Sequence, residues 1–134
     1  MPVKNDALFK ISKLEHSEGT VIATLDINKD CEIFKGHFPG HPVVPGACML
    51  QIVKEVLEEA LDASLRLKKA DHLKFISMID PGNTLAVALD MAYKILEDGD
   101  ISVVAKLMNG EVVCFKFQGR FVTYEPAQEY ALNS

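Results

Sequence analysis

The chain predicts an α+β fold, one long helix packed against an antiparallel β-sheet, and three observations carry that expectation. A single helix-length segment, about 46–63, follows a stretch dense in glycine and proline. The segments before and after it alternate apolar and polar residues at the period of a strand. Two dipeptides, Asp98-Gly99 and Asn109-Gly110, stand between such segments as hairpin turns do. No repeat, linker or low-complexity tract divides the 134 residues, so residues 1–134 read as one domain.

In chain order, a short strand is expected near Ala7–Leu14 and a clearer one over Thr20–Ile27, where Val21, Ala23, Leu25 and Ile27 fall on one face. Gly36, Pro39, Gly40, Pro42, Pro45 and Gly46 then exclude regular structure. Pro45 suits a helix start, because the N–H it lacks would have no partner inside the helix. The helix that follows, Gly46 to about Ala63, is apolar nearly all round in its first half, with Gln51 the exception. Its second half sets Val56, Leu57, Ala60 and Leu61 opposite Lys54, Glu55, Glu58, Glu59 and Asp62. This pattern predicts a helix whose N-terminal end is buried on every side, Gln51 included. A strand around Ala70–Met78 comes next, and Asp80-Pro81-Gly82-Asn83 fits a type II turn. Leu85, Val87, Leu89, Met91 and Tyr93 alternate along another strand, and the last, Val112–Val122, aligns Val113, Phe115, Phe117 and Phe121.

Composition excludes several classes. A net charge of −5, with no dense basic cluster, argues against nucleic acid. No apolar run reaches the roughly 18 residues of a membrane span. Cys31, Cys48 and Cys114 are odd in number and not in metal-like spacing, as expected of reduced thiols in a cytoplasmic protein. Zinc and disulfides are not expected, and Cys48 reads as a small core residue.

The chemistry concentrates in Gly36-His37-Phe38-Pro39-Gly40-His41-Pro42-Val43-Val44-Pro45-Gly46. This segment resembles the signature of the 3-hydroxyacyl-[acyl-carrier-protein] dehydratases, a His-Phe-x-Gly-x-Pro-x-x-Pro-Gly string leading into the central helix of a hot-dog fold. Lys74-Phe75 and Asp80-Pro81-Gly82-Asn83 are similar to later segments of that family, so the resemblance runs from about Asn28 to Thr123. It implies a sheet wrapped around one central helix and a homodimer, or a trimer of such dimers. It further implies an acyl thioester substrate on acyl carrier protein or CoA, and no metal or organic cofactor. The apolar half of the helix, with Phe38 and Ala47, would line a tunnel for the acyl chain.

Dehydration of a 3-hydroxyacyl thioester takes a proton from C2 and expels hydroxide from C3. Histidine offers a base near neutrality, and the resemblance gives that part to His37. A helix N-terminus offers free N–H groups to the thioester oxygen, the part the resemblance gives to the amide at Gly46. The departing hydroxide needs an acid, which the family places fourteen residues after the histidine; here that position holds Gln51. The family's order, an acid and then Gln four residues on, stands reversed as Gln51 and Glu55, which share a helix face. Two readings stay open: Gln51 lines a site of reduced or altered activity, or Glu55 supplies the acid. A thioesterase, and a non-catalytic binder of acyl chains or carrier protein, are the alternatives. His41, at a variable motif position, reads as a loop residue, and His16 and His72 as surface residues.

Overall fold

The computed structural model describes residues 8–28, 30, 46–80, 84 and 86–124. Six strands and one helix follow as β1 (Phe9–Ser17), β2 (Thr20–Ile27), α1 (Gly46–Leu61), β3 (Leu65–Phe75), β4 (Ala86–Ile95), β5 (Ile101–Asn109) and β6 (Val112–Thr123). The strands form one antiparallel sheet in the order β1-β2-β4-β5-β6-β3. The α+β expectation is met, with β1 and β3 as the two edges.

Period-two patterning builds the inner face of the sheet. Ala23, Leu89, Leu107 and Phe115 lie opposite one another across β2, β4, β5 and β6. The next inward row is Val21, Met91, Ala105 and Phe117, and all eight residues are buried. Each row sets an alanine among larger side chains, which leaves room for a helix to settle onto the face. Met49, Ile52, Val53, Val56 and Leu57 form the buried stripe of α1 at i, i+3, i+4, i+7 and i+8. Full burial of a side chain such as Ile52 or Leu57 contributes roughly 1.5–3 kcal/mol.

Asp62, at φ 51°, ends the helix in a left-handed cap. The Ala63 N–H returns to the Glu58 carbonyl at 3.2 Å, and the Glu58 carboxylate accepts the Leu65 N–H at 2.8 Å. The chain therefore enters β3 at once, five residues before the expected Ala70. β3 alternates only over Leu65–Leu67 and is exposed beyond, so too little alternation reveals it.

The sheet bends through irregularities of register. Pairing shifts occur between Ile11 and Lys13, at Leu67/Lys69 and Ala70/His72 in β3, and at Leu107/Met108 opposite β6. At the last of these, Phe115 pairs with Leu107 and Val113 with Met108, leaving Cys114 as the extra residue. Cys114 is consequently buried, while Val113, expected on the phenylalanine face, is half-buried. At Gly119 the two strands run so close that a Cβ would overlap the Lys69 carbonyl oxygen and approach the Phe117 ring at 2.6 Å.

The expected hairpins are present. Asn109 pairs with Val112, so the loop is Gly110-Glu111, with φ 63° at its first central residue as in a type II′ turn. Asp98-Gly99 lies in the turn between Ile95 and Ile101. Beside it, buried Asp100 accepts from Lys68 Nζ at 2.7 Å and from Arg120 Nη1 at 3.5 Å. The Asp80–Asn83 turn, apart from Asp80, lies outside the described residues, as does Leu85.

The helix differs from expectation at its N-terminal end. Ala47 and Gln51 are exposed and Cys48 and Leu50 half-buried, because the sheet covers one stripe and leaves the opposite arc of the first turns bare.

Gly119→Ala should destabilise the fold by about 1–3 kcal/mol or more, since the neighbour that must move is backbone; the midpoint of urea unfolding measures it. The Lys68 ammonium, then Arg120, holds Asp100 below the usual carboxylate range. A lowered folded-state value adds stability above the unfolded value and loses it as pH falls through the folded one. The melting-temperature gap between the wild type and Asp100→Asn should therefore be full at pH 7 and shrink below about pH 4.

Candidate functional site

Cys48, Gln51 and Glu55, at i, i+3 and i+7, share a face of α1 that borders its buried stripe. Opposite them, the start of β1 brings up Leu8 and Phe9, anchored where the Asn28 N–H donates to the Leu8 carbonyl at 2.8 Å. These five residues enclose a mainly apolar cavity of about 210 Å³. At its rim the Gln51 Nε2–H donates to Glu55 Oε2 at 2.7 Å. Gln51 is exposed rather than buried, and this bond engages its amide. Glu55 is half-buried, its carboxylate within hydrogen-bond reach of a side chain one turn nearer the helix start. Cys48 is half-buried against the core and lines the cavity instead of lying within the core.

Gly46 opens the helix, and what approaches its backbone is a side chain. A Cβ there would lie 2.8 Å from two carbons of the Phe75 ring, which stacks on Phe115 with centroids 5.1 Å apart. Phe75 remains 52% exposed. Its ring stands over the first turn of the helix, a part that the Lys74-Phe75 resemblance did not specify. Leu8 and Phe9 fall within the strand expected near Ala7–Leu14, but nothing assigned them to a site, because a short apolar pair at a strand start carries no motif. Ala47 is exposed and forms no part of the cavity wall.

His37, Phe38, His41 and Cys31 lie outside the described residues. His16 is exposed, with Nε2 2.6 Å from the Tyr93 hydroxyl oxygen; His72 is exposed on β3. Among the described residues, no three His, Cys, Asp or Glu side chains converge as a metal site requires. No helix among them is long and apolar enough to cross a membrane.

Residues 13–106 match the ApeI-like family, described as ApeI dehydratase, and the chain belongs to that family. Among relatives by sequence, the 3-hydroxyacyl-[acyl-carrier-protein] dehydratase FabZ of Pediococcus pentosaceus is 26% identical over 102 residues, covering 71% of this chain and 68% of that protein. FabZ of Enterococcus faecalis is 29% identical over 100 residues, covering 69% and 70%. Among solved structures, the dehydratase heterocomplex ApeI:P from Xenorhabdus doucetiae is similar with a TM-score of 0.67 at 17% identity, over 84% of this chain and 96% of that one. A mutant thioesterase from Staphylococcus aureus has a TM-score of 0.64 at 11% identity, over 87% and 93%. The fold is the hot-dog fold, as the motif implied.

Proposed function

We propose that this protein is a 3-hydroxyacyl-thioester dehydratase of acyl-chain synthesis, with His37 as base and Glu55 as acid, acting on acyl groups carried by acyl carrier protein or CoA. The observation that carries this reading is the Gln51–Glu55 bond at the rim of an apolar cavity, in a chain of the ApeI-like family. His37 removes the C2 proton, and the electron pair moves into the forming C2–C3 double bond through an enolate. Backbone N–H groups at the start of α1, with the positive end of its dipole, stabilise the charge on the thioester oxygen. Phe75 moves aside to admit that oxygen. Glu55 gives its proton to the departing hydroxyl, the C3–O bond breaks and water leaves. The proton gained by His37 then restores Glu55. Gln51 holds the Glu55 carboxylate in place, which offsets the one-turn displacement of the acid along the helix.

A second reading keeps the fold and changes the product. With a carboxamide where the family carries an acid, Gln51 holds the thioester carbonyl or a water and Glu55 acts as base in thioester hydrolysis. The likeness to the staphylococcal thioesterase fold is compatible with it. Incubation with a 3-hydroxyacyl thioester separates the two, because dehydration yields an enoyl thioester and hydrolysis a free thiol.

The functional unit in this proposal is a cytoplasmic homodimer, alone or as a trimer of dimers. β3 is an edge strand, and Leu73, Phe75, Ile76 and Met78 at and beyond its end are exposed. An unpaired edge with apolar side chains is a template for pairing with a second copy. The bare arc around Ala47 and Leu50 would be covered in such a dimer.

His37→Ala should lower turnover by about 10²–10⁴-fold, with His41→Ala nearly silent. Glu55→Gln should abolish dehydration in a protein that still folds, and Gln51→Glu should add little; activity retained in Glu55→Gln would remove Glu55 from the mechanism. Sedimentation at micromolar concentration should give a dimer or a multiple of one, and a monomer would contradict the assembly.

A further inference from the structure

The outer face of the sheet, turned away from the helix, carries a feature that the dehydratase reading does not use. Lys74 pairs with Lys116, Lys116 with Lys106, and Lys106 with Asp90, so three ammonium groups stand in one row across β3, β6 and β5. Neighbouring strands lie about 4.8 Å apart, which makes these like charges immediate neighbours. Like charges directly opposite one another destabilise a sheet. All three lysines are exposed, and none takes part in an ion pair among the described residues. A chain with 19 acidic side chains against 14 basic ones sets a single carboxylate, Asp90, at one end of the row.

The adjacent row is apolar at its centre. Gln118 pairs with Val104 and Val104 with Ala92, and Val104 is 54% exposed. The two rows line a groove of about 750 Å³, with Val104 and Ala92 as floor and the lysines as one wall. That volume is in the range of sites for single small ligands. Lysine side chains are longer than those of Val104 and Ala92, and a single hydrocarbon chain fits a groove of this size.

We propose that this groove binds a free fatty-acid anion, its carboxylate on the Lys74–Lys116–Lys106 row and its chain along Val104 and Ala92. The charge row supplies what a carboxylate lacks once it leaves water, and the bound anion in turn relieves the repulsion among the lysines. The site lies across the sheet from Gln51 and Glu55 and stands independently of the reaction assigned to them.

Dodecanoate titrated calorimetrically into the full chain tests it, with Lys106→Gln/Lys116→Gln as the main variant and Val104→Asp as a second. Circular dichroism verifies the fold of each. A binding event with one dodecanoate per chain should weaken at least tenfold in both variants and persist in Gln51→Ala, and dodecanol should not reproduce it. Equal dodecanoate affinity in wild type and both variants would overturn the proposal. So would a change in sedimentation on lysine replacement, which would assign the face to a second copy. Binding to anionic vesicles without binding of monomeric dodecanoate would also overturn it, in favour of a membrane surface.

Discussion

A single sheet can cover a helix only if it bends, and the bend at Gly119 is the constraint on which this structure rests. At that point β3 crosses β6 too closely for any Cβ, with pairing shifts in β3 at Leu67/Lys69 and Ala70/His72. The first of these shifts spares Lys68 from the ladder, and its ammonium reaches Asp100 at the far end of the neighbouring hairpin. The curvature and the ion pair on buried Asp100 are thus two consequences of one irregular register. Without the bend, the inward phenylalanines of β6 would stand on a flat sheet that could not close around Ile52, Val53 and Val56.

Most of this architecture was legible in the residues because burial follows period. Thr20–Ile27 was readable to the residue, since Val21, Ala23, Leu25 and Ile27 alternate with outward side chains. The helix was readable to within two residues of its end. The errors fell where period and burial part company. β3 alternates only over Leu65–Leu67 and is exposed for the rest of its length, too short a pattern to mark its start. Cys114 is an extra residue in its strand, and it displaces Val113 from the face that simple counting assigns to it. Bulges are set by tertiary bending, and nothing local in Val112–Phe115 announces one.

The candidate site was legible in part. The exchange of amide and acid at positions 51 and 55 was visible, but its physical outcome was not. Counting along a helix separates the two Cα atoms by about 6 Å, which suggests two separate groups. Side chains of this length close the gap, and the pair becomes one hydrogen-bonded unit of 2.7 Å. The apolar first turns of α1 suggested burial on all sides, yet a helix lying on one sheet has only one covered face. Ala47 is exposed and Leu50, packed against the core, only half-buried, and there the sequence pattern and the isolated chain disagree.

That disagreement carries its own argument about where the chemistry can occur. A dehydration step needs its acid and its enolate-stabilising donors screened from bulk water, since their electrostatic effect weakens as the local dielectric rises. Among the described residues Gln51 is exposed, Glu55 half-buried, and the half-exposed Phe75 ring packs at Gly46. The apolar surface around Ala47 and Leu50, together with Leu73, Ile76 and Met78 at the β3 edge, is what a second chain would bury. Covering it would exclude water from the Gln51–Glu55 pair as well. In the proposed dimer, assembly and catalysis would be one requirement: the side chains that hold the two copies together would also dry the proposed site, and a change that weakens pairing along β3 would act on turnover without touching a reacting group.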